Sequence, residues 1–490
     1  MTRHYNTDDW YVWEQNCSPM LLTLTLNAAF NPLREYIGSP FPNTPVFYET
    51  DKSGNYQAKW LIHVEECRAL GRKMIEMLLC PQYRAAYEKF VAEYTQRAVN
   101  KANEILSTNY TIKNAVDVFE EFEKIYYAFY KVAWFAEPVQ FQTEYILTRY
   151  LKDTDKLKAL LTIDEDTFSI DILRSLRDCK AGKITAEAHS QKYHWCKNNY
   201  YETKFFSPAD VLDEIKDHPV SYYENLIETT IQSKEKLLKQ KQEILSTLPS
   251  YYQNIVNIAN NFGAKLIDDR KKTIMLCNSA FDKLLVVIAK ATNTIINNVR
   301  LLIPQELRYF TANAESYKHR FEERKKLFLC VQTDFPMLDE IIERTDKILP
   351  MLEPFIAEGE TAEKALAQIN TRLNLFVADS NKSNKLNGVV AYHDQNEFIG
   401  TVHVIKNPKQ EKLIDGEILV APSTTPDYLT AINKCSAIIT DWGGQTSHAA
   451  IVSRELKKPC IIGTNYATSF LQTGQRIKIN FADGTIEVLK

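Results

Sequence analysis

The sequence predicts a multidomain chain, a mainly α-helical N-terminal region followed by a small α/β domain, and three observations carry that prediction. Apolar residues recur at helical spacing through most of the stretch from Trp60 to Ile369. A polar segment without apolar periodicity, ADSNKSNKLNG from Ala378 to Gly388, then interrupts the pattern as a linker would. Beyond it the short strand-like runs GTVHVI and EILVA lead into TDWGGQTSHAAIVSRELKKPCIIG, Thr440 to Gly463, which reads strand end, glycine turn, helix, strand. The expected division is a helical substrate- or partner-binding region over 1–377, a linker over 378–387 and the α/β domain over 388–490.

Composition narrows the function classes. A formal charge of -3 over 490 residues leaves no nucleic-acid footprint and no polybasic membrane patch. Nine cysteines, scattered and without a C-x-x-C pair, fit a reducing compartment better than a disulfide framework. The N-terminus, MTRHYNTDDWYVWEQ, has no apolar signal-like core, and apolar runs such as Leu284 to Ala289 are too short to span a bilayer. A soluble, cytoplasmic protein is expected, with neither nucleic acid nor membrane as partner. No metal site is expected: His189 and His194 are five apart and would face different sides of a helix.

The N-terminal region is taken in order. Met1 to Tyr56, rich in aromatics, prolines and turn residues, reads as a short helix or two with an irregular loop. Trp60 to Ser107 is helical with a break at Pro81, and Asn114 to Tyr150 is helical with a break at Pro138. The aromatics of the second stretch, Tyr126 to Tyr145, read as helix–helix core, with an aromatic-lined acceptor pocket as the alternative. Helices follow over Lys156 to Asp178 and Thr185 to Lys197, and Ser207, Pro208 and Asp210 mark another helix start. Between them lies a dense set of polar aromatics, from which His194, Trp195 and Tyr200 are candidate substrate contacts.

Tyr222 to Leu248 reads as a long helix whose near-heptad stripe pairs with a helix around Ala280 to Ile288, making an antiparallel arm. The IDDRKK cluster after Leu266 reads as a solvated face, with a phosphate contact by Arg270 as a minor option. Pro304 to Lys325 is helical, Leu327 to Gln332 a strand, Met337 to Leu352 a helix, and Gly359 to Ile369 a helix.

The chemistry concentrates at His448, in the first turn of the helix that follows Gly443 and Gly444. A helix start offers unpaired N–H groups and partial positive charge, which suits a phosphoryl group on or beside the ring. Gly443 and Gly444 allow close backbone approach, and Thr446 and Ser447 add hydroxyl donors. The ring is expected to be reachable at the helix tip.

The run GG-x-TSHAAIVSREL-x-x-P resembles the signature of the phosphohistidine swivelling domain, the mobile domain of phosphoenolpyruvate-utilising enzymes such as phosphoenolpyruvate synthase, pyruvate phosphate dikinase, rifampicin phosphotransferase and phenylphosphate synthase. The resemblance extends through Gly416 to Tyr428 and Pro459 to Val488. One residue departs from the family pattern: Lys457 stands where glycine is common.

The resemblance implies that His448 takes a phosphoryl group at a nucleotide site and swings to deliver it to an acceptor, with Gly443, Gly444, Thr446 and Ser447 steadying the phosphate and Arg454 in support. It implies ATP and Mg2+ as well. No G-x-x-x-x-G-K-[ST] loop is present and the N-terminal region is glycine-poor, so the nucleotide is expected on a separate ATP-grasp protein, and no acceptor-binding barrel is expected. The reading is a phosphotransferase component acting on a small-molecule acceptor. The alternative is a non-catalytic carrier or regulatory binding protein that retains the swivelling fold.

Overall fold

The computed structural model describes residues 4–6, 9–38, 41, 44–50, 56–332, 355–377, 385–409, 411–445 and 447–489. The chain is mainly helical up to the C-terminal α/β domain. It divides into two compact units: Met1–Pro138 with Tyr200–Thr203 and Leu276–Asn381, and Val139–Asn199 with Lys204–Met275 and Lys382–Lys490.

The first unit holds a five-stranded antiparallel sheet, ordered Trp10–Asn16, Tyr56–His63, Thr44–Thr50, Leu327–Gln332, Phe355–Glu358. Over 1–56 the expected helix is present as Pro19–Ile37, but strands flank it where an irregular loop was expected, and Trp60 lies in a strand where a helix was expected to begin. Alternation is the reason: Trp10 and Val12 are buried while Tyr11 and Trp13 are only partly so, a period of two that the aromatic density of the segment disguises. Helix Pro19–Ile37 packs on helix Ile112–Ala133, which packs on Pro81–Ser107. The aromatic stripe of Ile112–Ala133 is core, with Phe119, Phe122 and Tyr126 fully buried and Phe119 and Phe122 packed at a tilt against Phe281. The next helix, Ala136–Leu151, carries Pro138 in its first turn, where a missing N–H costs nothing, so the break falls at Trp134 and Phe135. Met337 to Leu352 lies outside the described residues.

In the second unit, helix Val220–Thr247 packs against helices Thr154–Leu160 and Phe168–Lys180 and against His448–Glu455. The expected antiparallel arm is therefore replaced by a stripe facing three short helices. After Ser250–Ile258 the chain makes one π-helical stretch, Ala259–Lys265, and continues as Leu266–Ala291.

The α/β domain of this unit is an eight-stranded sheet, ordered Lys385–Asn387, Thr485–Val488, Arg476–Asn480, Glu397–Val404, Ile418–Ala421, Ala437–Thr440, Cys460–Ile462, Val389–Tyr392. Its four central strands from Glu397–Val404 to Cys460–Ile462 are parallel, and both flanks are antiparallel. Val402, Ile418, Val420, Ile439, Ile461, Ile477 and Ile479 form its core. Such runs, buried on both faces, explain the unbroken apolar strands ILVA and AIIT. Of the expected linker, 378–384 lies outside the described residues and 385–387 is the edge strand.

Candidate functional site

The site lies beyond the carboxyl ends of two neighbouring parallel strands, where open α/β sheets place their ligands. Strand Ile418–Ala421 runs out to Thr424, and strand Ala437–Thr440 runs out to Asp441 and the Gly-Gly turn. Asp441 pins that turn by accepting the Thr468 backbone N–H at 2.9 Å. Gly443 sits at φ +133, and a Cβ there would lie 2.9 Å from the Ser447 Oγ, so only glycine fits. Ser447 is the N-cap of helix His448–Glu455, its Oγ accepting the Ala450 N–H at 3.4 Å, which makes His448 the first helical residue. Thr446 lies outside the described residues.

The His448 Nδ1 is 2.8 Å from the Thr424 Oγ1. Its Nε2 is buried with no hydrogen-bond partner among the described residues. The ring is 7% exposed and stacks on Phe168, centroids 6.1 Å apart and planes within 12°. That corrects the expectation of a reachable ring. The cause is long-range: the loop 163–167 and Phe168, which begins helix Phe168–Lys180, close over helix His448–Glu455, with Ile451 packed against Ile163 and Ala264. Burial, and after it the Lys271 charge, holds the imidazole well below its ordinary range, so the ring is neutral at physiological pH.

The remaining candidates fall into place around this ring or apart from it. The Gln445 backbone N–H, one residue beyond the glycines, donates to the Glu144 Oε1 at 3.3 Å. A Cβ on Gly444 would meet the other Glu144 oxygen at 3.1 Å. A carboxylate thus occupies the donor-rich turn, and burial raises its pKa against the Gln445 N–H and Arg454. Arg454 is buried and reaches back to the Gln445 carbonyl at 2.5 Å and its Oε1 at 3.3 Å, bracing the turn. Burial lowers the guanidinium to about 10.

Glu455 accepts from the Thr167 Oγ1 at 2.8 Å. Burial pushes its carboxyl up to about 8. Asp268, which accepts the Phe168 N–H at 3.2 Å, is likewise raised by burial to about 6.

Trp195 touches this environment at one remove, edge-on to Phe168 at 5.8 Å, with its Nε1 donating to the Lys192 carbonyl. His194 stacks on Phe205 instead. Tyr200 belongs to the first unit, where it packs edge-on against Trp13. Sequence reasoning missed Thr424, Phe168 and Glu144. Thr424 alone had a local signal, the TTP turn directly after an apolar strand. Among the described residues no group of three or more His, Cys, Asp or Glu side chains is arranged to hold a metal, and no helix is long and apolar enough to cross a membrane.

Residues 413–484 match the family described as PEP-utilising enzyme, mobile domain. The chain is similar to phosphoenolpyruvate synthase of Pyrococcus furiosus, 46% identical over 88 residues, which cover 18% of this chain and 11% of that protein. It is also similar to phosphoenolpyruvate synthase of Deinococcus radiodurans, 43% identical over 86 residues, 17% of this chain and 11% of that protein. The chain thus spans about a tenth of the length of these curated relatives. A solved structure of Enzyme I aligns over 67% of this chain and 83% of its own at 13% identity, with a TM-score of 0.18, too low to bear on the fold.

Proposed function

We propose, from the PEP-utilising enzyme mobile domain that residues 413–484 form, that this chain is a phosphotransferase component carrying a phosphoryl group on His448. The observation that carries the reading is the state of the ring: neutral, held through Nδ1 by Thr424, and with Nε2 uncommitted. With the Nδ1 proton donated to Thr424, the Nε2 lone pair is the nucleophile. It forms the N–P bond as the P–O bond to the nucleotide breaks, and the electron pair leaves with the nucleotide. In the second step an acceptor oxygen attacks phosphorus and the N–P pair returns to Nε2. Ser447, at the same helix start, offers its hydroxyl to the phosphoryl oxygens.

Burial fits this reading as one end of a swing. The Phe168 ring that covers His448 comes from the helices preceding the α/β domain in the second unit, its helical segment. Charging therefore requires the α/β domain to leave Phe168, and the helical segment is one of its two stations. ATP and its Mg2+ belong to a separate ATP-grasp protein in this scheme, and the small-molecule acceptor to the helical segment. A second reading, a non-catalytic carrier or regulatory binding protein, is favoured by one contact: Glu144 fills the turn where a phosphate would bind.

One experiment separates them. The protein is incubated with radiolabelled ATP and a candidate ATP-grasp partner, or with cell extract, and an acid-labile, base-stable label is sought. Label that disappears in His448→Ala and passes to an acceptor supports the phosphotransferase; no label under any condition supports the carrier.

A further inference from the structure

A second polar cleft, of about 570 Å3, opens at the far end of the helix that His448 begins. Its walls come from the helical segment, with Asp155 and Lys158 on one helix and Gln232, Ser233, Lys236 and Gln240 on another, and from the α/β domain, with Tyr392, His393, Asp394 and Lys457. The volume is that of a small-molecule site. Helix His448–Glu455 rises about 12 Å, so the cleft and the histidine are separate places.

Three lysines line it, Lys158, Lys236 and Lys457, and among the described residues no carboxylate forms an ion pair with any of them. Lys158 is half-buried and rests its Nζ over the Tyr392 ring, 4.4 Å from the centroid. Burial lowers its pKa, the Asp155 and Asp394 charges opposing that shift and the Arg454 and Lys236 charges adding to it. Lys457 holds a backbone conformation, φ +49, that favours glycine. A left-handed residue commonly follows a helix end, as Lys152 does after Leu151, and here that turn brings Lys457 to the rim of the cleft. Asp155 and Asp394 share the cleft and offset part of its positive charge, and together with Gln232 and Gln240 they supply acceptors for hydroxyls.

We propose that this cleft binds a dianionic phosphate group, with the phosphate on Lys158, Lys236 and Lys457 and any organic portion on the glutamines and Tyr392. Because its walls belong to both the helical segment and the α/β domain, an occupant ties the two together and keeps His448 covered. Phosphate at this site therefore acts as an effector, at a distance from the phosphoryl carrier.

The test is calorimetric titration of the full chain with inorganic phosphate and, separately, glycerol 3-phosphate, alongside Lys457→Gly, Lys236→Gln and His448→Ala. The first two substitutions are expected to weaken binding by about tenfold each, while His448→Ala binds as the parent does. Lys457→Gly also relieves the backbone, raising Tm by about 2–4 °C, so that its loss of affinity is not misfolding. Tighter binding of glycerol 3-phosphate than of phosphate assigns the site to an organic phosphate, and equal binding assigns it to the free anion. Bound phosphate slows amide exchange in residues 448–455. No binding to the parent at millimolar concentration, unchanged affinity in both lysine variants, or loss in His448→Ala alone overturns the proposal.

Discussion

Glu455 makes closure over His448 dependent on pH, and the size of the effect follows from its surroundings. Its carboxyl is buried between the last turn of its own helix and Thr167, and burial moves it from an ordinary 4.5 to about 8. Facing it are Asp268 from helix Leu266–Ala291, Asp166 from the turn before Phe168, and Lys234 from helix Val220–Thr247. The two aspartates favour its protonated form and Lys234 opposes them. The closed state holds a proton that the open state releases, so closure is strongest below pH 4.5 and weakens as pH rises through 8. The whole span amounts to roughly 5 kcal/mol, of which roughly 2–3 kcal/mol falls between pH 6 and pH 9, or about a hundredfold in the closure equilibrium. Asp268, raised to about 6, adds in the same direction over a lower window. The assay is amide exchange over 448–455, corrected for intrinsic rates, in the parent and in Glu455→Gln. Protection should fall between pH 6 and pH 9 in the parent and stay level in the variant. A parent without slope, or a variant that keeps it, refutes the argument.

Three further outcomes follow from the same geometry. Thr424→Val removes the Nδ1 partner of His448; labelling of the histidine should slow about 5- to 150-fold, from about 1–3 kcal/mol, and the imidazole 15N shifts should show the change of tautomer that a merely structural role would leave alone. Gly443→Ala places a Cβ 2.9 Å from the Ser447 Oγ at φ +133; urea melts should show a loss of about 1–3 kcal/mol, and an unchanged midpoint would mean the turn is more pliant than drawn. Arg324→Met strips a fully buried guanidinium from Glu306, at 2.6 and 2.7 Å, and from Glu358 at 2.6 Å, leaving Arg320 as the remaining cationic partner of both carboxylates; the first unit should lose about 3 kcal/mol in denaturant, the low end for a buried pair broken at one partner.

What the sequence discloses here is local. Strand, turn, helix and strand from Ala437 to Ile462 can be read from apolar runs and two glycines, because each signal sits within a few residues of the structure it sets. The positive φ at Lys457 is foreshadowed by its departure from a glycine pattern. The cover over the histidine has no such signal, since Thr167 meets Glu455 across 288 residues and Glu144 meets Gln445 across 301. The N-terminal sheet is hidden for a related reason. Its strands at 44–50 and 327–332 pair across most of the chain, and their aromatic residues suit a helix core as well as a pleated face.

The central claim, that His448 is charged only after it leaves the helical segment, can be tested by locking the domain shut. Ile163 and Ile451 pack together, so cysteines at both positions, with the exposed Cys80 changed to serine, can join the helix to its cover. No acid-labile label is expected on the oxidised protein in the presence of ATP and its partner, and full labelling once the disulfide is reduced. Equal labelling of the locked and the reduced protein would contradict it.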